Sequence, residues 1–252
     1  MRKMLIGILL LSLVVSICGC ISGGEDEGVE WDIQVFGEIS SPFSISYSEL
    51  QEMPEASIEK KLVSGAETYT GVSLEHITEL ANISEGVNYV NCIADDGYIL
   101  SFTLNDFQNG ILALEKGGKP LDDDSGPVML GFNIGCACNW MKRVEKIEFF
   151  SSSNSLGLIG DVANPIYVTI SDIRDFTGKE NSFTVAELFT KVAAYPQSQT
   201  FSIICSEGEY NYPIGAKSGA IVTYAGNSFK VSIEGTEYSD VSALDCIWDP
   251  DQ

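Results

Sequence analysis

Apolar residues in this chain arrive in short bursts separated by glycine, proline and acidic turns. In "IQVFG", "FSIS", "NYVNCIA" and "KIEFF", and again in "LGLIG", "IYVT", "TFSIICS" and "ALDCIW", they read as short strands. "GILALE", "GPVMLGF", "AIVTYA" and "FKVSIEG" add further strands. Helical spacing is confined to a few turns: Leu74, Ile77, Leu80 and Ala81 form one stripe, and Val185, Leu188 and Val192 another. The helix starts carry capping-box words, Ser46-x-x-Glu49, Thr169-x-x-Asp172 and Thr184-x-x-Glu187, in which hydroxyl and acid satisfy orphan backbone amides. The pattern predicts an α+β chain, mainly β, with short helices.

The pattern also recurs. "FGEISSPFSISYSELQEM" from Phe36 aligns without a gap to "IGDVANPIYVTISDIRDF" from Ile159, so that Gly37 meets Gly160, Pro42 meets Pro165 and Ser48 meets Ser171 at a spacing of 123. From Val72 onward the spacing to "FTVAELFTKVAAYPQSQTFSIICSEGE" is 111, a loss of 12 residues in the second copy. Each copy predicts a mixed sheet with two short helices, giving two tandem domains, residues 31–150 and a shorter 151–252.

The ends belong to neither copy. "MRK" followed by "MLIGILLLSLVVSICGC" resembles a lipoprotein signal over residues 1–20, with Cys20 as the lipidated first residue of the mature chain. Residues 21–30, "ISGGEDEGVE", read as a flexible acidic tether. The expected location is the outer face of the cell membrane. Net charge is −22, and −24 once Arg2 and Lys3 are removed, which repels phosphate backbones and excludes nucleic acid as a partner. The membrane, reached through the lipid anchor, is one partner; a protein or small ligand of unspecified identity is the other.

The order of words in the first copy resembles the oxidoreductase molybdopterin-binding domain of the sulfite oxidase family. Tyr69 to Leu74 ("YTGVSL"), Asp96-Gly97-Tyr98, Gly118 to Leu121, Gly126-Pro127 and Lys142 to Glu148 stand in the family's order. The resemblance implies that fold and, at a functional site, a cysteine thiolate on molybdenum with basic residues around the pterin phosphate. Several of those positions differ here. No cysteine lies between Cys20 and Cys92, and the ligand segment offers Ser64 and Thr68. The family arginine falls on Met129, its neighbouring histidine on Asp124 or Ser125, and its lysine cluster on "CACN", Cys136 to Asn139. These departures predict a retained fold with no molybdopterin and no other cofactor.

Outside the membrane, cysteines are expected to pair, and Cys92, Cys136, Cys138, Cys205 and Cys246 are the disulfide candidates. Cys205 with Cys246 would staple the second copy, and Cys92 with Cys136 or Cys138 the first. Alternatively, Cys136-x-Cys138 could hold a soft metal or act as a redox pair. His76, the sole histidine, reads as a boundary residue beside a helix cap, which excludes a histidine-based triad. "LDDDSG" reads as an exposed acidic turn, Asn82-Ile83-Ser84 is a glycosylation sequon, and Trp31, Tyr89, Tyr98, Trp140 and Trp248 read as core or rim aromatics. No catalytic or cofactor-binding residue stands out. The resulting expectation is a non-catalytic, lipid-anchored protein that binds a partner or small ligand. An atypical molybdopterin-dependent oxidoreductase and a Cys-x-Cys redox or metal-handling protein remain the alternatives.

Overall fold

The computed structural model describes residues 29–62, 65–132 and 140–248. The first half runs β1 (Asp32–Gly37), β2 (Phe43–Ser46), α1 (Tyr47–Glu52), β3 (Glu55–Leu62), β4 (Gly65–Ser73), α2 (Leu74–Ala81), β5 (Tyr89–Ala94), β6 (Ile99–Thr103), α3 (Leu104–Gln108), β7 (Gly110–Lys116), β8 (Lys119–Pro120), β9 (Met129–Phe132) and β10 (Val144–Phe150). The second half runs β11 (Leu156–Gly160), β12 (Ile166–Val168), α4 (Ile170–Thr177), β13 (Ser182–Thr184), α5 (Val185–Lys191), β14 (Thr200–Cys205), β15 (Gly208–Pro213), β16 (Ile221–Ala225), β17 (Ser228–Ile233), β18 (Thr236–Tyr238) and β19 (Val241–Ile247). The fold is α+β and mainly β, with mixed sheets and a few short helices.

Each half contains a five-stranded sheet built to one plan. Its order is β2-β1-β10-β5-β6 in the first half and β12-β11-β19-β14-β15 in the second. In both, the only parallel pair joins the opening strand to the closing one, β1 with β10 and β11 with β19. Gly37 and Gly160 end the opening strands with φ of +100° and +86°. A Cβ on Gly37 would meet the Phe149 carbonyl oxygen at 2.2 Å, and one on Gly160 the Cys246 carbonyl oxygen at 2.3 Å. Glycine is therefore required twice, for backbone conformation and for closeness to the neighbouring strand. Matching bridges, Ile39 with Ile83 and Val162 with Ala194, tie each following turn to the end of a helix.

A second sheet in each half closes the core. It is β3-β4-β7-β8 with β9 on β7 in the first half, and β13-β16-β17-β18 in the second. The 12-residue difference in spacing falls on the long β3–β4 hairpin of the first half; the second half has only β13 on β16 where β4 pairs with β7. Between β6 and β7 the first half has a helical turn, α3, capped by the Thr103 hydroxyl on the Asp106 amide, where the second half has a 3-10 turn over Ile214–Ser218. At five residues α3 is too short to show helical periodicity in the sequence.

All three expected capping boxes form, at Ser46, Thr169 and Thr184. The apolar faces they orient fill two cores. One surrounds Ile33, Leu74, Ile77, Phe107, Leu112 and Phe149, the other Leu158, Ile173, Leu188, Phe201 and Leu244. Ile93 and Ile99 project from the first sheet into the second core, so the two halves meet along a packed seam.

Candidate functional site

The described cysteines are apart from one another. Cys92 faces the first core with no exposure, and burial drives its thiol pKa far above the ordinary range, so it is not a thiolate. Cys246 is also buried, which likewise pushes its thiol up. On the β14/β19 ladder Cys246 stands opposite Phe201, while Cys205 stands opposite Val241. Four strand residues therefore separate the two cysteines, roughly 13 Å, against the Cα separation of about 4.4–6.8 Å that a disulfide needs. The expected Cys205–Cys246 staple is thus corrected, because strand register puts the two at opposite ends of one pair. Cys20, Ser64, Cys136 and Cys138 lie outside the described residues. Among the described residues, no group of three or more His, Cys, Asp or Glu side chains is placed to hold a metal ion.

Asn82 is exposed, ends α2 in the left-handed conformation (φ 45°), and its amide donates to Ser40 Oγ. His76 lies in the first turn of α2, with Nδ1 3.5 Å from Glu79. Neither touches a cleft. In the acidic turn, Asp122 accepts from the Ser125 amide and Asp124 pairs with Lys142.

A cluster not visible in the sequence lies on the outer face of the β3–β4–β7–β9 sheet. Trp140 rests on Gly131, where a Cβ would come within 2.9 Å of the indole. Its ring meets Tyr69 edge-on at 4.7 Å between centroids. Lys60 Nζ sits 4.1 Å above the indole, and Lys116 Nζ lies 5.8 Å from the Tyr69 ring centre. Glu67 accepts from the Tyr69 hydroxyl and pairs with Lys116 at 2.8 Å, and these contacts hold its carboxyl below the usual range. Lys142, two residues past Trp140, is paired with Asp124. Met129, standing where the resemblance implies an arginine, is buried beneath this face with Ile58, Tyr69, Ile111 and Ala113. On this face the half-buried Trp140 packs on the buried Tyr69, Lys60 lies over the indole, and Lys116 is paired with Glu67.

That chemistry suits one class of ligand. An aromatic heterocycle can lie against the half-buried Trp140, which Tyr69 backs, and the Lys60 ammonium can neutralise an attached phosphate. These residues fit the organic part of a molybdopterin, a pterin carrying a phosphate. A soft ligand for its metal is absent among the described residues, whose only cysteine in the first half is the buried Cys92.

Comparisons with known proteins bear on the family of the chain. The family model described as "Oxidoreductase molybdopterin binding domain" matches residues 23–158, more than half of the chain. The chain is 27% identical over 109 residues to the uncharacterized oxidoreductase YuiH of Bacillus subtilis (strain 168), covering 40% of this chain and 55% of that protein. Among solved structures, the sulfane dehydrogenase SoxCD from Paracoccus pantotrophus gives a TM-score of 0.42 at 11% identity, covering 87% of this chain and 64% of that one. The chain thus spans about half the length of the curated relative and under two thirds of the solved one.

The expectation of no cofactor is corrected. The family match points to molybdenum cofactor binding. The four departures at the ligand segment, Met129, Asp124 or Ser125 and Cys136 to Asn139 do not remove the chain from the family, and the fold sets Lys60 over Trp140 and Lys116 beside Tyr69 from separate strands. The chain belongs to the oxidoreductase molybdopterin binding domain family.

Proposed function

We propose that this is a lipid-anchored, extracytoplasmic protein of two tandem modules, whose first module (31–150) binds a molybdopterin-type cofactor on the Trp140 face. The observation that carries the reading is the joining of Trp140 and Tyr69 with Lys60 and Lys116 on one sheet face, inside the half matched by the family model. Trp140, backed by Tyr69, would hold the heterocycle, and Lys60 and Lys116 would bind the phosphate. When bound, such a cofactor supplies redox chemistry at its metal. The protein's own contribution is binding, orientation and charge neutralisation. With no soft ligand among the described residues, Cys136 and Cys138 are the candidates for that place. We favour binding over turnover for the module, with the second module (151–252) as a shorter copy serving a partner. The recurring sequence words and the shared strand order support that division.

The test is pterin fluorescence and elemental analysis of the ectodomain from a cofactor-producing host. The expected result is co-purifying pterin in wild type and a loss of tenfold or more in occupancy for W140A/K60E, since a charged contact to phosphate contributes about 1.5–3 kcal/mol. C136S/C138S should lower the metal content while leaving the pterin. Wild-type protein free of pterin would sink the reading.

A further inference from the structure

The seam between the halves contains two carboxyl groups that water barely reaches. Glu148 on β10 is 3% exposed and Asp172 in the first turn of α4 is 4% exposed. One hydroxyl joins them: Thr169 Oγ1 lies 2.9 Å from Glu148 Oε1 and 3.3 Å from Asp172 Oδ2. Asp172 Oδ2 receives the Thr169 amide at 2.9 Å and the Asn91 side-chain amide at 3.0 Å. The Thr169 hydroxyl donates its one hydrogen to Glu148 Oε1, the closer of the two. Glu148 Oε2 is buried and no donor reaches it.

Two ionised carboxylates side by side without a cation would be very unfavourable in a dry seam. The groups that could relieve this are absent from the faces packed around Glu148. β1 presents Phe36, β5 presents Asn91, and β6 presents Ser101, all uncharged. Beyond them stand Tyr167 and Thr169. Asp172 borders a cleft that Asp95, Asp96, Glu145, Lys146, Asp175 and Lys191 also line, and neither lysine is paired with Glu148 or Asp172. We propose that Glu148 carries a proton on Oε2 and donates it to Asp172, so that one shared proton locks the two halves together across the seam.

That assignment satisfies the orphan oxygen and leaves Asp172 as the acceptor of three hydrogens. Burial, and then the Asp172 charge, push the Glu148 pKa well above the carboxylate range. Burial also raises Asp172, but the Thr169 amide and the Glu148 side chain oppose it, so Glu148 is the group that takes the proton. The sign follows from linkage: a group whose folded pKa is raised binds its proton more tightly when folded. The stabilisation is full below the unfolded value near 4.5 and is lost as pH rises towards the raised folded value. The seam is therefore locked in acid and weakens as the medium becomes alkaline. Asp245, opposite Ser202 and Ile159 as Glu148 is opposite Asn91 and Phe36, is only half-buried and has no such partner helix.

The test compares thermal unfolding of the full ectodomain with E148Q from pH 4.5 to 9 in salt high enough to screen general repulsion. Glutamine keeps the shape and donates permanently to Asp172. Relative to E148Q, the wild-type midpoint should fall by about 3–5 °C per pH unit within the window. Infrared spectra at neutral pH should show the carbonyl stretch of a protonated carboxylic acid, absent in E148Q. Parallel pH profiles for the two proteins, or no such stretch in wild type, would overturn the proposal. The infrared readout on wild type decides the matter even if E148Q folds poorly.

Discussion

At the residue scale, single atoms decide where substitution is tolerated. Gly37 and Gly178 both have positive φ, +100° and +67°, but only Gly37 has the neighbouring strand pressed against it. Gly37→Ala combines backbone strain with a clash against Phe149 and should cost about 2–4 kcal/mol. Gly178→Ala meets nothing within 4 Å and should cost about 1 kcal/mol. Urea denaturation of both variants checks the difference, and equal losses would mean the contact with Phe149 is irrelevant. Cys92 behaves as a small apolar side chain in the first core. Cys92→Ser would bury a hydroxyl beside apolar neighbours and should cost about 1–3 kcal/mol more than Cys92→Ala, read in the same assay.

At the scale of elements, stability rests on caps and on strand register. Among the described residues every helix is eight residues or shorter, so none holds its shape without a packed face. Thr184 caps α5 and does nothing else of consequence, so Thr184→Ala should cost about 1 kcal/mol. Thr169 caps α4 and also donates to Glu148 across the seam, so Thr169→Ala should cost about twice as much. Circular dichroism melts of the two variants separate the roles. Matching shifts would mean that the hydrogen bond to Glu148 contributes nothing. Register also explains the cysteines. Alternation puts both Cys205 and Cys246 inside, but only pairing determines that they stand at opposite ends of the ladder.

At the scale of the whole molecule, charge and location come forward. A net charge of −22 repels itself, so raising monovalent salt to about 0.15 M, where the Debye length is about 8 Å, should raise the thermal midpoint. A midpoint insensitive to salt would show that the charges are spread too thinly to matter. Lipid anchoring, proposed from "ICGC", predicts a modified Cys20 as the first residue by mass spectrometry of the membrane-extracted protein. Cys20→Ala should release the chain into the medium, and an unmodified mature N-terminus at another residue would end that idea. Among the described residues no helix is long and apolar enough to cross a membrane.

The sequence by itself determined what depends on neighbours a few residues away. Strand and helix types and the caps at Ser46, Thr169 and Thr184 follow from such local constraints. The order of family words from Tyr69 to Glu148 was legible for the same reason, since it is a linear property of the chain. Which residues meet across long separations was decided only by the tertiary structure. Lys60, Tyr69, Lys116 and Trp140 converge because β3, β4, β7 and β9 share one sheet, an arrangement that no spacing in the chain encodes. Glu148 looked like one more charge in a closing strand, and Asp172 like an ordinary capping acid. They become a buried pair only because the second half packs over the open face of the first sheet, removing both carboxyls from water.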